Sequence, residues 1–313
     1  MTLYIGKRLL QTFIVLLGIT FVTFLLINVV PGDPVLIMMG QRADPAAVER
    51  VRHELGMDQP LLVQYFNFIV KAFRFDLGRS YYTKELVTTV LLRRASSTIQ
   101  VALVSYVVAM VIGVLIGIYS AVKRGKWQDR TLMSLIIVFM SAPAFWVALL
   151  LQIVFGLWLR WLPIAGLSTP ASYILPCTSL GLRYAATTAR FTRTAMLDVI
   201  GQDYVRTARA KGLKEFVVVN GHALKNALIP IVTMAGFQLG SLMSGAMLTE
   251  TVFNIPGIGS LIVESMFKRD LPLLTGGVMY VSMVFVLMNL IVDILYAVID
   301  PRIRVSSKKA VAK

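Results

Sequence analysis

The chain has 313 residues, of which 57% are apolar and only 15% charged, and its mean hydropathy is +0.75. A soluble domain carries roughly 25% charge, so a water-soluble enzyme or binding domain is excluded. Lys and Arg outnumber Asp and Glu by 31 to 16, an excess that has to be traced to membrane orientation or to a polyanionic partner.

Six apolar runs approach the ~20 residues that a bilayer-spanning helix needs. They lie at about 9–30, 99–122, 132–158, 173–192, 227–249 and 275–299, and predict an all-α integral membrane protein with six transmembrane helices. The first run is too long for a cleaved signal peptide and lacks a small-residue cleavage site, so it reads as a retained anchor. Pro31-Gly-Asp-Pro34 stops it. Asp44-Pro45 predicts a capped helix with proline at its first position, running to Leu55 with Gly56 behind it. Asp58-Gln-Pro60 repeats that signal before the apolar stretch 61–73. The stretch is too short to span, so it lies along the bilayer surface or packs on the spans. Asp76-Leu-Gly78 breaks it, and 84–94 leads into the second span. The chain therefore divides into 1–30, the N-terminus and first span; 31–98, a small helical outer cap; and 99–313, the core.

Charge follows the spans. With the N-terminus taken as inside, segments 1–8, 123–131, 190–226 and 300–313 hold 18 Lys and Arg against 5 Asp and Glu, and the outer segments hold 12 against 10. The short loop from Lys123 to Arg130 and the tail Arg302, Arg304, Lys308 and Lys309 are the clearest inside markers. This asymmetry accounts for the excess better than DNA or RNA binding does, because basic patches have other uses. Cys177, the only cysteine, falls within a span and forms no intramolecular disulfide.

Two loops stand out. Residues 203–230 are polar and strongly basic, with Arg206, Arg209, Lys211, Lys214 and Lys225 against Asp203 and Glu215. Val205, Ala208 and Leu213 are spaced for one apolar helical face, and Gly212 sits where that helix ends. Such a helix needs a surface to pack on, and a separate cytoplasmic protein is the expected one. On the outer side, Pro256, Gly257 and Gly259 make a turn within 250–274, followed by a short amphipathic piece to Lys268-Arg269-Asp270. Irregular backbone at the membrane face is tolerated where protein buries it or a wet cavity lines it. A re-entrant or gate-lining element and an ordinary interfacial loop both fit.

Chemistry motifs are scarce. The sequence has no GxxxxGK[ST], HExxH, CxxC or GxSxG pattern. His53 and His222 fall on opposite sides of the predicted membrane and cannot share a metal, and the 15 methionines suit core packing. Arg183 and Asp293 are the charges inside spans. A charge at mid-membrane costs at least ~2.5–3.5 kcal/mol on insertion scales. Three placements meet that cost for Arg183: an ion pair with Asp293, a pore lining that attracts a carboxylate on the cargo, or snorkelling to the inner face.

The loop YVRTARAKGL…HALKNALIP resembles the cytoplasmic coupling loop of ABC importer permeases of the dipeptide/oligopeptide/nickel branch. VVPGDP at the end of the first span, ELGMDQPL…QY…DLG, TETVFNIPGIG and the closing NLIVDILYAVIDPRIR resemble the first-permease (B-type) subunit of that branch nearly end to end. The general permease pattern at this loop is EAA, three residues, then Gly. Ala208 and Gly212 fit it, Arg206 and Thr207 replace its Glu and first Ala, and Pro230 lies further from the glycine. The resemblance implies the type I ABC importer permease fold, with a small helical periplasmic cap between helices 1 and 2 and no bond-breaking by this chain. It implies that Tyr204, Val205, Arg206, Ala208, Arg209, Ala210, Lys211, Gly212 and Leu213, within a loop spanning 193–226, engage an ATPase subunit. It implies that Glu250, Asn254, Pro256, Gly257 and Gly259 form a gate where a periplasmic or lipoprotein substrate-binding protein docks. The implied partners are a homologous second permease, one or two ATP-binding subunits that carry ATP and Mg, and the lipid of the bacterial cytoplasmic (inner) membrane, which the chain crosses several times with both termini cytoplasmic; no nucleic acid is implied. A secondary transporter would show paired broken helices and internal repeats, and no clear repeat relates 1–150 to 160–313. A membrane-embedded enzyme would need clustered catalytic groups in the spans, where Arg183 and Asp293 are the charges.

Overall fold

A computed structural model describes residues 2–29, 34–39, 44–54, 56–243 and 247–299. The named elements are helical: α1 Thr2–Val29, α2 Pro34–Met39, α3 Pro45–Glu54, α4 Leu61–Phe73, α5 Val87–Val122, α6 Trp127–Ser141, α7 Ala144–Leu151, α8 Ile174–Ile200, α9 Asp203–Ala210, α10 Glu215–Val217, α11 Leu224–Met243, α12 Met247–Val252, α13 Ile258–Lys268 and α14 Leu271–Ile299. A wide π-type turn continues α7 over Gln152–Trp158, and another joins α10 to α11 over Val218–Ala223. Among the described residues the extended backbone pairing is a single bridge, Arg79 with Leu86. Where no water reaches the backbone, a helix satisfies its own peptide groups and an open strand does not.

The centre of the bundle is the pair α5 and α8, and small residues bring their backbones together. A Cβ at Gly113 would lie 2.7 Å from the Ala185 carbonyl oxygen, and one at Gly117 2.6 Å from that of Ala189. Close approach through small side chains is how helices associate where hydrocarbon surrounds them. Gly181 meets Val108 and Ser105, Gly113 meets Thr188, and Gly117 meets Thr192. The numbers rise together, so α5 and α8 run in the same direction, and the chain between them has to cross back.

It does so through a broken span. The run predicted as one span over 132–158 is two helices, α6 and α7, bent by 102°. The cause is Pro143. A residue before proline is pushed out of the helical region, and Ala142 has φ −73° and ψ 129°. Contacts fix the remaining directions. Tyr184 meets Ser241 and Thr188 meets Gln238, so α11 is antiparallel to α8. Gly236 rests on Val292 and Gly240 on Met288, so α14 is antiparallel to α11. Arg8 pairs with Asp293 at 3.0 Å, which brings the start of α1 and the far half of α14 to one side.

Among the described residues, four helical stretches are long and apolar enough to cross a membrane, and five if the bent pair is one span. The remaining predicted span is α8, whose Arg183, Arg190 and Arg193 lower its hydropathy although it lies alongside α5. Helix ends also move. Helix α5 begins at Val87, so the division at 98/99 falls inside a continuous helix. Helix α8 runs on to Ile200 beyond the predicted 192; the predicted end of the next span at 249 falls within α12, past residues 244–246, which lie outside the described residues.

Between α1 and α5, Asp44 caps α3 through Oδ1 to the Ala46 N–H at 3.2 Å, and Gly56 takes φ +69° behind that helix. Asp58 does not cap α4. Pro60 holds the cap position, which leaves Asp58 two residues too early to reach the first free amides, and its carboxylate lies 3.7 Å from His53 Nε2. Helix α4 packs along α1. Phe24 stacks on Tyr65 and Phe68, with Phe13 against Phe73, so the two helices are antiparallel. Residues 31–33 of the stop signal, Leu55 and the basic tail 300–313 lie outside the described residues.

Candidate functional site

Helix α9 is where a short basic helix meets the ends of three long ones. Val205 is fully buried and Ala208 nearly so, in one cluster with Ala121 of α5, Met196 of α8, Val218 and Val219 of the following turn, and Ala227 and Ile231 of α11. Burying a valine is worth ~1.5–3 kcal/mol, so this face is already occupied within the chain. The expectation that Val205, Ala208 and Leu213 form one face seeking a separate protein is therefore corrected. Lys211 ends the helix and Gly212 takes φ +76°, which turns the exposed Leu213 off that face.

The outer face of α9 carries the exposed Tyr204, Arg206, Arg209 and Ala210, with Lys211 behind them. Tyr204 is tied to α11 by the Asn226 side-chain amide, which donates to its hydroxyl at 2.9 Å. Arg209 donates twice to Glu215, at 3.1 and 2.8 Å, which brackets the turn at Gly212. Those bonds hold the Glu215 carboxyl below its ordinary value and raise the Arg209 guanidinium. Beyond the turn Phe216 is 78% exposed. The surface offered is thus basic, with an aromatic and an aliphatic tip on rigid backbone, and its reverse side is keyed to α5, α8 and α11.

Sequence reasoning missed a buried ion pair just above α9. Asp129, in the first turn of α6, accepts from Arg193 Nε at 2.7 Å and Nη2 at 2.8 Å, from the Gly125 N–H at 2.9 Å, and from the Ser120 hydroxyl. Its side chain is 4% exposed. One carboxylate thereby joins the end of α5, the turn 123–126, the start of α6 and the lower part of α8. A lone acid among four loop cations was the available signal.

At the other end, the turn predicted at Pro256, Gly257 and Gly259 lies between α12 and α13, and its centre is Glu250. Glu250 is 1% exposed. Its carboxylate accepts from the Thr98 hydroxyl at 2.8 Å and the Ser260 N–H at 3.1 Å, while the Ile258 N–H donates to Thr98 at 2.9 Å. A carboxylate on the first amides of a helix is favoured by the free N–H groups and the helix dipole there. Glu250, Gly257 and Gly259 are buried and hold the turn, so they are not themselves a docking surface; Asn254, at φ +48°, and Pro256 are exposed. Asp270 anchors the same end by accepting from Ser80 Oγ at 2.5 Å and the Tyr81 N–H at 3.3 Å.

The two intramembrane charges do not meet. Asp293 is paired with Arg8, because α14 turns this part of its surface to α1. Arg183 is exposed instead and lines a recess of about 400 Å³ with Pro143, Phe145, Tyr184, Ser241 and Thr249. A larger cavity of about 800 Å³ between α1 and α14 is lined by Arg8, Gln11, Ser282, Asn289 and Asp293 among others. Among the described residues no three His, Cys, Asp or Glu side chains gather as metal ligands.

Known proteins share this arrangement. The model of the family described as binding-protein-dependent transport system inner membrane component matches residues 113–305, and the N-terminal model of the same system matches 1–102. A glutathione transport system permease protein of Pectobacterium atrosepticum is 44% identical over 301 residues, covering 96% of this chain and 98% of its own. A putative peptide transport system permease protein of Brucella abortus is 40% identical over 312 residues, covering 97% and 99%. In fold, the chain is similar to an inward-facing structure of the MetNI methionine ABC transporter, with a TM-score of 0.57 and 19% identity over 67% of this chain and 96% of that one. Relatives that run nearly end to end, and a family model over most of the bundle, place it: the chain belongs to the binding-protein-dependent transport system inner membrane component family and is a pore-forming permease subunit of an ABC importer.

Proposed function

We propose that this chain forms half of the pore of an ATP-driven importer for small peptides or a peptide-like solute such as glutathione. The similarity to permeases of peptide and glutathione transport systems over 96–97% of the chain supports that cargo class. The single observation that carries the coupling role is the packing of α9. Its buried Val205 and Ala208 lock it to the ends of α5, α8 and α11, while its basic face stays open.

A helix held in this way moves only with the spans it is keyed to. Closure of an ATPase pair on two such helices pulls the ends of the spans, and the pore turns outward. A substrate-binding protein delivers its cargo at the opposite end, near the turn built on Glu250, and hydrolysis reverses the motion. This is a two-state element biased by nucleotide at one end and by cargo at the other. ATP and Mg bind the partner subunits, the second pore half is a different but homologous permease, and both termini face the cytoplasm of a bacterial inner membrane.

The test is reconstitution. The permease pair, its one or two ATPase subunits and the binding protein are placed in liposomes, and uptake of labelled tripeptides and of glutathione is followed with and without ATP. ATP-dependent uptake through the assembled complex, and none from this permease by itself, is the expected result. Uptake that proceeds without ATP and collapses with the ion gradient refutes the proposal.

A further inference from the structure

Helix α8 has an exposed face that does not suit lipid. Arg183, Thr187, Arg190, Thr194 and Asp198 follow one another at intervals of four, three, four and four residues, and all but the half-buried Thr187 are exposed. Such spacing is one stripe of a helix. The two threonines are spent on their own backbone, donating to the carbonyls of Arg183 and Arg190 at 3.3 and 3.1 Å. The stripe therefore presents two guanidinium groups, with the exposed Asp198 carboxylate about two turns beyond Arg190 at its inner end. The two arginines are seven residues apart, about 10 Å along the axis at ~1.5 Å per residue, and they straddle the middle of α8.

These arginines contrast with Arg193, one turn below on the adjoining face. Arg193 is neutralised within the chain by Asp129. Arg183 and Arg190 enter no ion pair among the described residues. At mid-membrane Arg183 would cost at least ~2.5–3.5 kcal/mol against hydrocarbon, and Arg190 lies toward the inner end, one turn above the Arg193–Asp129 pair, so the stripe leads from the recess to the inner face and is set toward water or an anion. The recess at Arg183 lies where Pro143 breaks the span, and the Tyr184 and Ser241 hydroxyls, 2.9 Å apart, sit on its wall. Its volume of about 400 Å³ is within the ~300–1,000 Å³ of small-molecule sites.

Resting on the peptide-importer reading above, we propose that Arg183 and Arg190 are successive carboxylate-binding positions on the translocation path, which select cargo with a free α-carboxylate. The planar guanidinium matches a carboxylate with two parallel hydrogen bonds, and a lysine does not reproduce that fork. Arg183 receives the carboxylate in the recess, with the two hydroxyls beside it. Arg190 takes it about two turns further on. Two weak stations in a wet channel let the anion pass, where one strong site would hold it.

The experiment uses the full importer in liposomes with trialanine and its C-terminal amide as probes. Affinity of the binding protein for each probe is measured separately, so that its own preference is divided out. In the wild type the free acid is carried at least tenfold faster than the amide after that correction. R183Q and R190Q each reduce the ratio at least fivefold, R183K restores part of it, and R183E favours the amide. Assembly with the partner subunits is followed by co-purification, and R183K and R190K keep the test available if a glutamine variant fails to assemble. An unchanged acid-to-amide ratio in assembled variants overturns the proposal. So does rescue of R183Q by neutralising an acidic residue of the second permease, which would make Arg183 half of an intersubunit pair. A wild-type preference that appears only in phosphatidylglycerol vesicles and vanishes in phosphatidylcholine also overturns it, because a lipid phosphate would then be the ligand. Absence of ATP-driven uptake of both probes and of glutathione by the wild type would instead refute the peptide-importer reading.

Discussion

Arg193→Ala removes the cation from a carboxylate that is almost wholly enclosed. Asp129 then keeps only the Gly125 N–H and the Ser120 hydroxyl. Removing one partner of a buried pair costs about 3–5 kcal/mol, because the other charge stays buried. The Arg193 side chain is 25% exposed, so water reaches the site and the lower end, about 3 kcal/mol, applies. Asp129→Asn is milder. It keeps the shape and one acceptor and loses charged hydrogen bonds worth roughly 1.5–3 kcal/mol. Replacing both residues together with leucine leaves no orphan charge and should fall within about 1 kcal/mol of wild type. For large domains each kcal/mol shifts Tm by ~2–4 °C, so Arg193→Ala should lower the Tm of the detergent-purified complex by roughly 6–12 °C. The assay is thermal unfolding of wild type, Arg193→Leu, Asp129→Leu and the double leucine variant, read as a double-mutant cycle, with Arg193→Ala and Asp129→Asn measured beside them. A drop of less than about 2 °C for Arg193→Ala, or a double variant worse than the sum of the singles, refutes the reasoning.

Three further outcomes follow from named contacts. Gly212→Val places a β-branched residue at φ +76° in otherwise open space, so its cost of ~1–2 kcal/mol arises in the backbone; the complex should assemble while cargo-stimulated ATPase and uptake uncouple, and Gly212→Asn should be tolerated. Normal coupling in Gly212→Val would contradict this. Gly257→Ala puts a Cβ under 3.0 Å from the Glu250 carboxylate, and overpacking of ~1–3 kcal/mol should loosen the turn between α12 and α13, seen as faster proteolysis at Asn254 and Pro256. Phe216→Ser alters an exposed tip that packs on no core cluster, so Tm should stay within about 1 °C while co-purification of the ATPase falls several-fold; equal loss of both would place Phe216 in the fold instead.

The class of this protein was legible in its composition, because the bilayer imposes one rule on every span: about 20 apolar residues and a backbone that pairs with itself. The same rule made α1, α5, α11 and α14 visible, and local punctuation set several ends. Asp44 and Pro45 start α3, and Gly56 and Gly212 take the positive φ that their places after helices demand. Motif resemblance supplied the family and the coupling loop, since VRTARAKGL occurs in a fixed order with the other segments.

Burial and pairing were decided by tertiary structure. Periodicity showed that α9 has an apolar face, but whether that face meets a partner or its own bundle depends on where α8 and α11 bring Met196 and Ile231. The choice of partner for Asp293 depended on which helix lies beside α14, and α1 lies there, so Arg8 and not Arg183 reaches it. The resemblance put Glu250 in a docking gate; it is interior because Thr98, 152 positions away, and the amides of α13 converge on it. Asp129 sits among four cations in the sequence, and only the parallel packing of α5 and α8 selects a fifth, Arg193, as its partner. A local pattern fixes a residue's neighbours along the chain, whereas a charge inside a bundle is settled by whatever the fold carries to within about 3 Å of it.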